Sequence, residues 1–177
     1  CYFEDNTIAG VHSYGRDNLI KDNFFKGTEL NAIYLQGAGH NEVLGNSIGP
    51  HPVSGVLFEN RNGIFIASDN NKIGGTASSD RNIVSGCTLQ GINIGWTAAS
   101  NSIRGNLIGT NADGMIARPN DTGVYIKGTY NKIGGVKPGA RNIISGNIDS
   151  GIMLIGSLAG DCKHNEIMGN YIGVDAT

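Results

Sequence analysis

Apolar residues along this chain come in short runs, each only a few residues long, alternating with polar positions and flanked by Gly or Asn. The runs keep a fixed order. The first reads Gly/Ala-Ile/Val-x-Ile/Leu and occurs at Ala32, Gly63, Gly91, Gly123 and Gly151, with a degenerate version at Gly10-Val11. The second starts at Asn18, Asn41, Asn71, Asn101, Asn131 and Asn165, and the third at Asn23, Asn46, Asn82, Asn106, Asn142 and Asn170. Such runs are too short for helices, and their isoleucine-rich, turn-bounded character predicts strands. A larger repeat overlies them. Asn71-Lys72-Ile73-Gly74-Gly75 returns as Asn131-Lys132-Ile133-Gly134-Gly135, and Arg81-Asn82-Ile83-Val84-Ser85-Gly86 as Arg141-Asn142-Ile143-Ile144-Ser145-Gly146, each sixty residues later. Within each sixty the insertions alternate. Long connections span 49–63 and 109–123, and shorter ones, 76–81 and 136–141, separate the second and third runs of the intervening units.

Three strands in constant order predict one triangular coil per unit, stacked on its neighbours. The predicted fold is all-β: a right-handed, single-stranded parallel β-helix, a solenoid of about six three-strand coils forming one domain over residues 1–177. A β-sandwich also uses short strands, but it does not explain the preserved order of three distinct runs.

Period-two geometry then assigns faces. In Asn-x-Ile the Asn and Ile point inward, which makes two columns of stacked corner amides. The outward columns are His12, Tyr34, Phe65, Asn93, Tyr125, Met153 on the first strand and Leu19, Glu42, Lys72, Ser102, Lys132, Glu166 on the second. On the third they are Phe24, Ser47, Ile83, Leu107, Ile143, Tyr171. Glu42–Lys72 and Lys132–Glu166 are expected to pair across coils. The first and third columns are apolar for an outer surface. Either the long connections, with Val56, Leu57, Phe58 and Met115, Ile116, fold over and bury them, or the first column is a platform for sugar rings or a partner protein. His12, Tyr34, Phe65, Asn93 and Tyr125 are therefore the candidate ligand-binding residues.

Composition agrees with a solenoid. Of 177 residues, 28 are Gly, 21 Asn and 22 Ile, three types that all favour helices poorly. Collagen is excluded by the lack of a Gly-X-Y period. The net charge is −2 and the pI is near 6.1, so neither nucleic acid nor an anionic membrane is an expected partner. No apolar run approaches the ~18 residues of a membrane span.

The strings Asn-x-Ile-x-Gly-Asn-x-Ile-Gly and Asn-Lys-Ile-Gly-Gly…Arg-Asn-Ile-Ile-Ser-Gly-Asn resemble right-handed parallel β-helix repeats of the pectin-lyase-like superfamily. More narrowly they resemble repeat arrays of large bacterial secreted and surface proteins. The resemblance implies a secreted or cell-surface setting and a polysaccharide or cell-surface glycan as partner; it implies nothing certain about activity, since one fold serves many functions. The strings that carry chemistry in such enzymes are missing. No Asp-Asp pair, Asn-Thr-Asp, Gly-His-Gly or Asp-Pro-His occurs, and Arg118-Pro119 is the nearest approach to Arg-x-Pro-x-x-Arg. Asp5, Asp17 and Asp22 cluster near the N-terminus without forming an acid/base pair motif.

No cofactor is expected, apart from a calcium candidate at Asn111 and Asp113 in Asn111-Ala112-Asp113-Gly114, which also reads as a turn capping its own backbone. Cys1, Cys87 and Cys162 map three coils apart, beyond disulfide reach, and are expected free. Asn6-Thr7-Ile8 reads as the third strand of a coil zero. Ile172-Gly173-Val174-Asp175-Ala176-Thr177 parallels the start of the 109–123 connection, so a segment of a longer array is expected, open to lateral or end-to-end self-association. The expected function is a non-catalytic repeat segment of a secreted or cell-surface β-helix protein, serving as a rigid spacer and an adhesion or binding surface. The alternatives are a polysaccharide lyase, hydrolase or epimerase, or a glycan-binding module.

Overall fold

The structure, a computed structural model, describes residues 1–157 and 162–174. Its strands form three sheets, and every strand pairing is parallel. First runs make a six-stranded sheet: Ala9–Ser13, Asn31–Leu35, Asn62–Ile66, Gln90–Ile94, Thr122–Ile126 and Ser150–Leu154. Second runs make another of six: Leu19–Lys21, Glu42–Leu44, Lys72–Ile73, Ser102–Ile103, Lys132–Gly134 and Glu166–Met168. Third runs make a sheet of seven: Tyr2–Glu4, Phe24–Lys26, Ser47–Ile48, Ile83–Val84, Leu107–Ile108, Ile143–Ile144 and Tyr171–Ile172. Each strand bonds only to its counterparts one coil before and one coil after. The chain is a parallel β-helix.

One boundary differs from the sequence expectation. The coil-zero strand is Tyr2–Glu4, not Asn6-Thr7-Ile8. Aromatic stacking sets this register: Phe3 lies flat on Phe25, with centroids 4.9 Å apart and planes 8° apart, and Tyr2 meets Phe24 edge-on at 5.5 Å. Asn6 instead turns the chain, its Nδ2 donating to the Glu4 carbonyl. Residues 175–177, part of the expected C-terminal parallel, lie outside the described residues.

In-register parallel pairing puts like residues on like. Ile33, Ile64, Ile92 and Val124 form one interior column, Val43, Ile73, Ile103 and Ile133 a second, and Phe25, Ile48, Val84, Ile108 and Ile144 a third, all buried. Burying a large aliphatic side chain contributes about 1.5–3 kcal/mol, so the rod is held through successive coils rather than at one centre, until the last coil, where Ile167 and Ile172 are exposed.

Corners carry the polar half of the design. From Asn18 through Asn41, Asn71, Asn101 and Asn131 to Asn165, each Nδ2 donates to the next Oδ1 at 2.9–3.1 Å, and each backbone N–H donates to that same oxygen. A second ladder runs identically from Asn23 through Asn46, Asn82, Asn106 and Asn142 to Asn170. The residue before every Asn of the first ladder has positive φ: Asp17, His40, Asn70, Ser100, Tyr130 and His164, at 57–58°. That left-handed residue swings the amide inward from the turn. Two of the four histidines are thereby accounted for as corner residues.

The third corner holds a ladder that the sequence reading did not include. Asn60, Asn120 and Asn147 occupy it; Asn120 Nδ2 donates to Asn147 Oδ1 at 3.0 Å, and the Thr28 and Cys87 backbone N–H groups donate to Asn60 and Asn120. Thr28 and Cys87 sit in this column in place of Asn. Among the described residues the buried Thr28 hydroxyl has no partner, and burial pushes the Cys87 thiol from 9.0 up to about 12. All three cysteines are free.

Two outcomes follow. Asn106→Ala removes bonds to the Ile73 and Arg104 carbonyls and to Asn142, and orphans the donors of Asn82. Denaturant unfolding is expected to show a loss of about 2–4 kcal/mol, against a smaller loss for Asn23→Ala at the half-buried end. For Cys87 the folded pKa lies above the unfolded one, so stability is complete below about pH 9 and falls as pH rises toward 12. Wild type is expected to lose about 2 kcal/mol more than Cys87→Ala between pH 8 and about pH 10.5. Equal losses in the two proteins would contradict a buried neutral thiol.

Candidate functional site

Register places His12, Tyr34, Phe65, Asn93, Tyr125 and Met153 in one outward line along the six-stranded first sheet. The five candidate residues are therefore brought together as expected. How their rings lie is decided by the strand spacing of about 4.8 Å, which is also a stacking distance. His12 stacks on Tyr34 (4.3 Å, 13°), Tyr34 lies 5.0 Å from Phe65, and Tyr14 closes the other side of His12 at 4.3 Å. Ring faces in this stack meet each other, and edges meet solvent. Asn93 interrupts the line, buried, with Nδ2 on Gln90 and, among the described residues, no partner for Oδ1. Beyond it, Lys127 sits over both the Tyr125 ring (4.8 Å) and the Trp96 ring (5.5 Å). A sugar stacks on an aromatic face, and along His12–Tyr34–Phe65 those faces are taken by neighbours. The column works as a structural ladder first.

The long connections cover a different face. Each leaves its third-run strand at a positive-φ glycine, Gly49 (φ 95°) or Gly109 (φ 84°), and doubles back as a flap. Antiparallel bridges join Pro50 to Leu57 and Thr110 to Ala117. The bonding is the same in both: His51 N–H to Val56 O and Asn111 N–H to Ile116 O at 2.8 Å, then Phe58 N–H to Gly49 O and Arg118 N–H to Gly109 O. Under the first flap Phe24 meets His51 (5.2 Å) and Phe58 (6.0 Å), and Ser47 Oγ donates to the Pro50 carbonyl. Phe24, Ser47, Leu107 and Ile143 of the third-strand column are buried, while Ile83 is half-buried and Tyr171 exposed, so burial holds for part of that column. It fails for the first-strand column, which stays partly open. Of the flap residues expected to cover it, Leu57 and Phe58 are half-buried, while Val56, Met115 and Ile116 remain about half exposed.

Asn111 lies at the start of the second flap. Its Oδ1 accepts from the Met115 and Ile116 amides, both at 3.0 Å, so this oxygen closes the turn and is not held out for an ion. Among the described residues no cluster of three His, Cys, Asp or Glu is arranged for a metal. In the first flap His51 takes the equivalent place: its Nδ1 accepts from Val53 and Ser54 amides at 3.3 and 3.1 Å.

The expected ion pairs are present. Lys72 Nζ lies 3.5 Å from Glu42 and Lys132 Nζ 3.4 Å from Glu166, with a third pair, Lys26–Glu4, at 3.1 Å. All cross between adjacent coils at the surface, where each is worth about 0.2–1 kcal/mol. A trough of about 350 Å³ lies between the two flaps, over coil three, which carries no flap. It depends on the direction the flaps take, which no local motif announces.

Because its ring faces are engaged on both sides, Tyr34→Ala is expected to lower stability by about 1–2 kcal/mol and to leave saccharide binding unchanged. Thermal unfolding and glycan-array binding of the variant check the two halves; weakened glycan binding in a folded variant would restore the platform reading.

No family model matches the chain, and no curated protein or solved structure matches it either.

Proposed function

We propose that this chain is a non-catalytic segment of a secreted or cell-surface β-helix protein, akin to the pectin-lyase-like repeats it resembles, acting as a rigid rod that carries a binding surface on its side. The observation that carries this reading is where the carboxylates are. Asp5, Asp17 and Asp22, the one acidic cluster near the N-terminus, all sit at positive-φ turn positions (48–58°), and Asp17 also pairs with Arg16. Glu4, Glu42 and Glu166 pair with lysines of adjacent coils. Asp69 accepts the Ala99 amide at 2.7 Å and Asp80 lies 3.8 Å from Lys21. Acid/base work on a glycosidic bond needs two carboxyl groups flanking one substrate, about 5–9.5 Å apart; these eight acids are instead placed in turns or bonded to the scaffold.

Stiffness supports the same reading. Hydrogen bonds of all three sheets and of the corner ladders run along one axis, so bending the rod stretches many bonds at once. The secreted or surface setting rests on the repeats' resemblance.

Purified chain incubated with acidic and neutral polysaccharides is expected to release no unsaturated or reducing ends, while an in-frame duplication of residues 61–120 folds and lengthens the rod by about 10 Å, two coils at the sheet spacing. Chromatography of the digests and small-angle scattering give the two readouts. Catalysed chain cleavage would overturn the proposal.

A further inference from the structure

The trough between the flaps is lined by more donors than the protein uses. Arg81 rises from coil three just before its third strand, Arg118 and Asn111 come from the second flap, and His51 comes from the first. All four are half-buried, whereas Asp113, the one acid in the lining, is exposed. Among the described residues Arg81 engages only its Nε, on the Gly105 carbonyl at 3.0 Å, and Arg118 only one terminal nitrogen, on the Ala117 carbonyl at 3.4 Å. Among the described residues the only arginine in an ion pair is Arg16. Asn111 uses Oδ1 in its turn, which leaves Nδ2 without a partner among the described residues. His51 accepts at Nδ1, so in its neutral form the proton is on Nε2, a further donor. Half-buried guanidinium groups without a carboxylate make a local positive potential, and donors without acceptors call for one.

We propose that this trough binds a sugar bearing a tetrahedral oxyanion, a sulfate or phosphate ester, with Arg81, Arg118, Asn111 and His51 as the donor set. This goes beyond the rod reading by giving its side surface a site and a ligand class. Three separate elements supply the donors, from the floor and both walls. A planar carboxylate is satisfied by one arginine fork from one side, while a tetrahedral group takes donors from several directions. A saccharide fits better than a peptide because the flap backbones pair internally at His51–Val56, Asn111–Ile116, Phe58–Gly49 and Arg118–Gly109. That leaves little strand edge for a peptide to extend, so recognition falls to side-chain donors. Ile83 on the floor offers an apolar contact to the sugar body.

The test is titration of the whole chain, followed by NMR of the Asn111 side-chain amide and the His51 ring, with a sulfated monosaccharide, its phosphate ester, a uronic acid, the neutral parent sugar, inorganic sulfate and an acidic peptide. Saturable shifts are expected with the esters, weakened about tenfold or more in Arg118→Gln and strengthened in Asp113→Asn. Arg81→Lys, which keeps the charge, is expected to retain part of the affinity. Tighter binding of the uronic acid, the acidic peptide or free sulfate would overturn the assignment to sugar esters. Equal binding of the neutral sugar, or unchanged affinity in a folded Arg118→Gln protein, would overturn the site itself. None of these results touches the rod proposal, which only catalysed cleavage contradicts.

Discussion

The hydrogen bond from one asparagine amide to the next coil's asparagine oxygen is the interaction on which the structure depends. A three-strand coil turns sharply three times, and each turn leaves backbone N–H and C=O groups inside with no strand partner. Unsatisfied, each costs about 1–3 kcal/mol. An inward Asn has the right inventory, two donors and one acceptor oxygen with two lone pairs. Asn106 uses all of it: Oδ1 accepts from the backbone and side chain of Asn82, and the two Nδ2 hydrogens are shared among the Ile73 and Arg104 carbonyls and Asn142 Oδ1. Repeated at every coil, this arrangement also imposes register, because a strand shifted by one residue would present an outward side chain to the ladder.

The glycine-free way of making the first corner follows from the same constraint. A left-handed residue must precede each Asn there, and the chain uses Asp, His, Asn, Ser and Tyr for it rather than glycine. Such residues tolerate positive φ with some strain, and the two ladder bonds that follow outweigh it. The third corner shows what happens where the rule lapses. Thr28 and Cys87 fit the volume but lack the amide, leaving an orphan hydroxyl and a thiol held neutral by burial.

Much of this was legible in the residues. The three-run order, the interior isoleucines, both first ladders and the outward columns, down to Glu42–Lys72 and Lys132–Glu166, follow from period-two alternation alone, and the pairing registers agree residue for residue. Three things were not. The coil-zero strand lacks the Asn that marks other third runs, and aromatic contact with Phe24 and Phe25 places it instead. Asn60 and Asn120 carried a visible signal, their sixty-residue spacing, but they sit in the long connections, outside the runs that define the repeat. The path of the flaps depends on Gly49 and Gly109 taking positive φ and on hairpin bonds closed after the turn. Those are contacts between residues several positions apart, which strand periodicity does not encode, and the trough exists only once they are made.

A sixty-residue period is longer than a solenoid coil requires, and the surplus has a consequence on the surface. If every coil carried a flap, neighbouring flaps would meet at about 4.8 Å, the sheet spacing, and close over the third sheet as a continuous second layer. If none did, Phe24, which the first flap meets through His51 and Phe58, would be bare. Alternation puts flaps on coils two and four, with the short helical turns Ser78–Asp80 and Pro138–Ala140 on coils three and five. Two coils then separate equivalent flaps, about 10 Å, wide enough for a sugar ring and lined by whatever the intervening coil supplies. Arg81 is supplied at that level, at the exit of the short turn. The interior needs only a one-coil repeat; the two-coil repeat is what gives an otherwise uniform rod places that differ from one another.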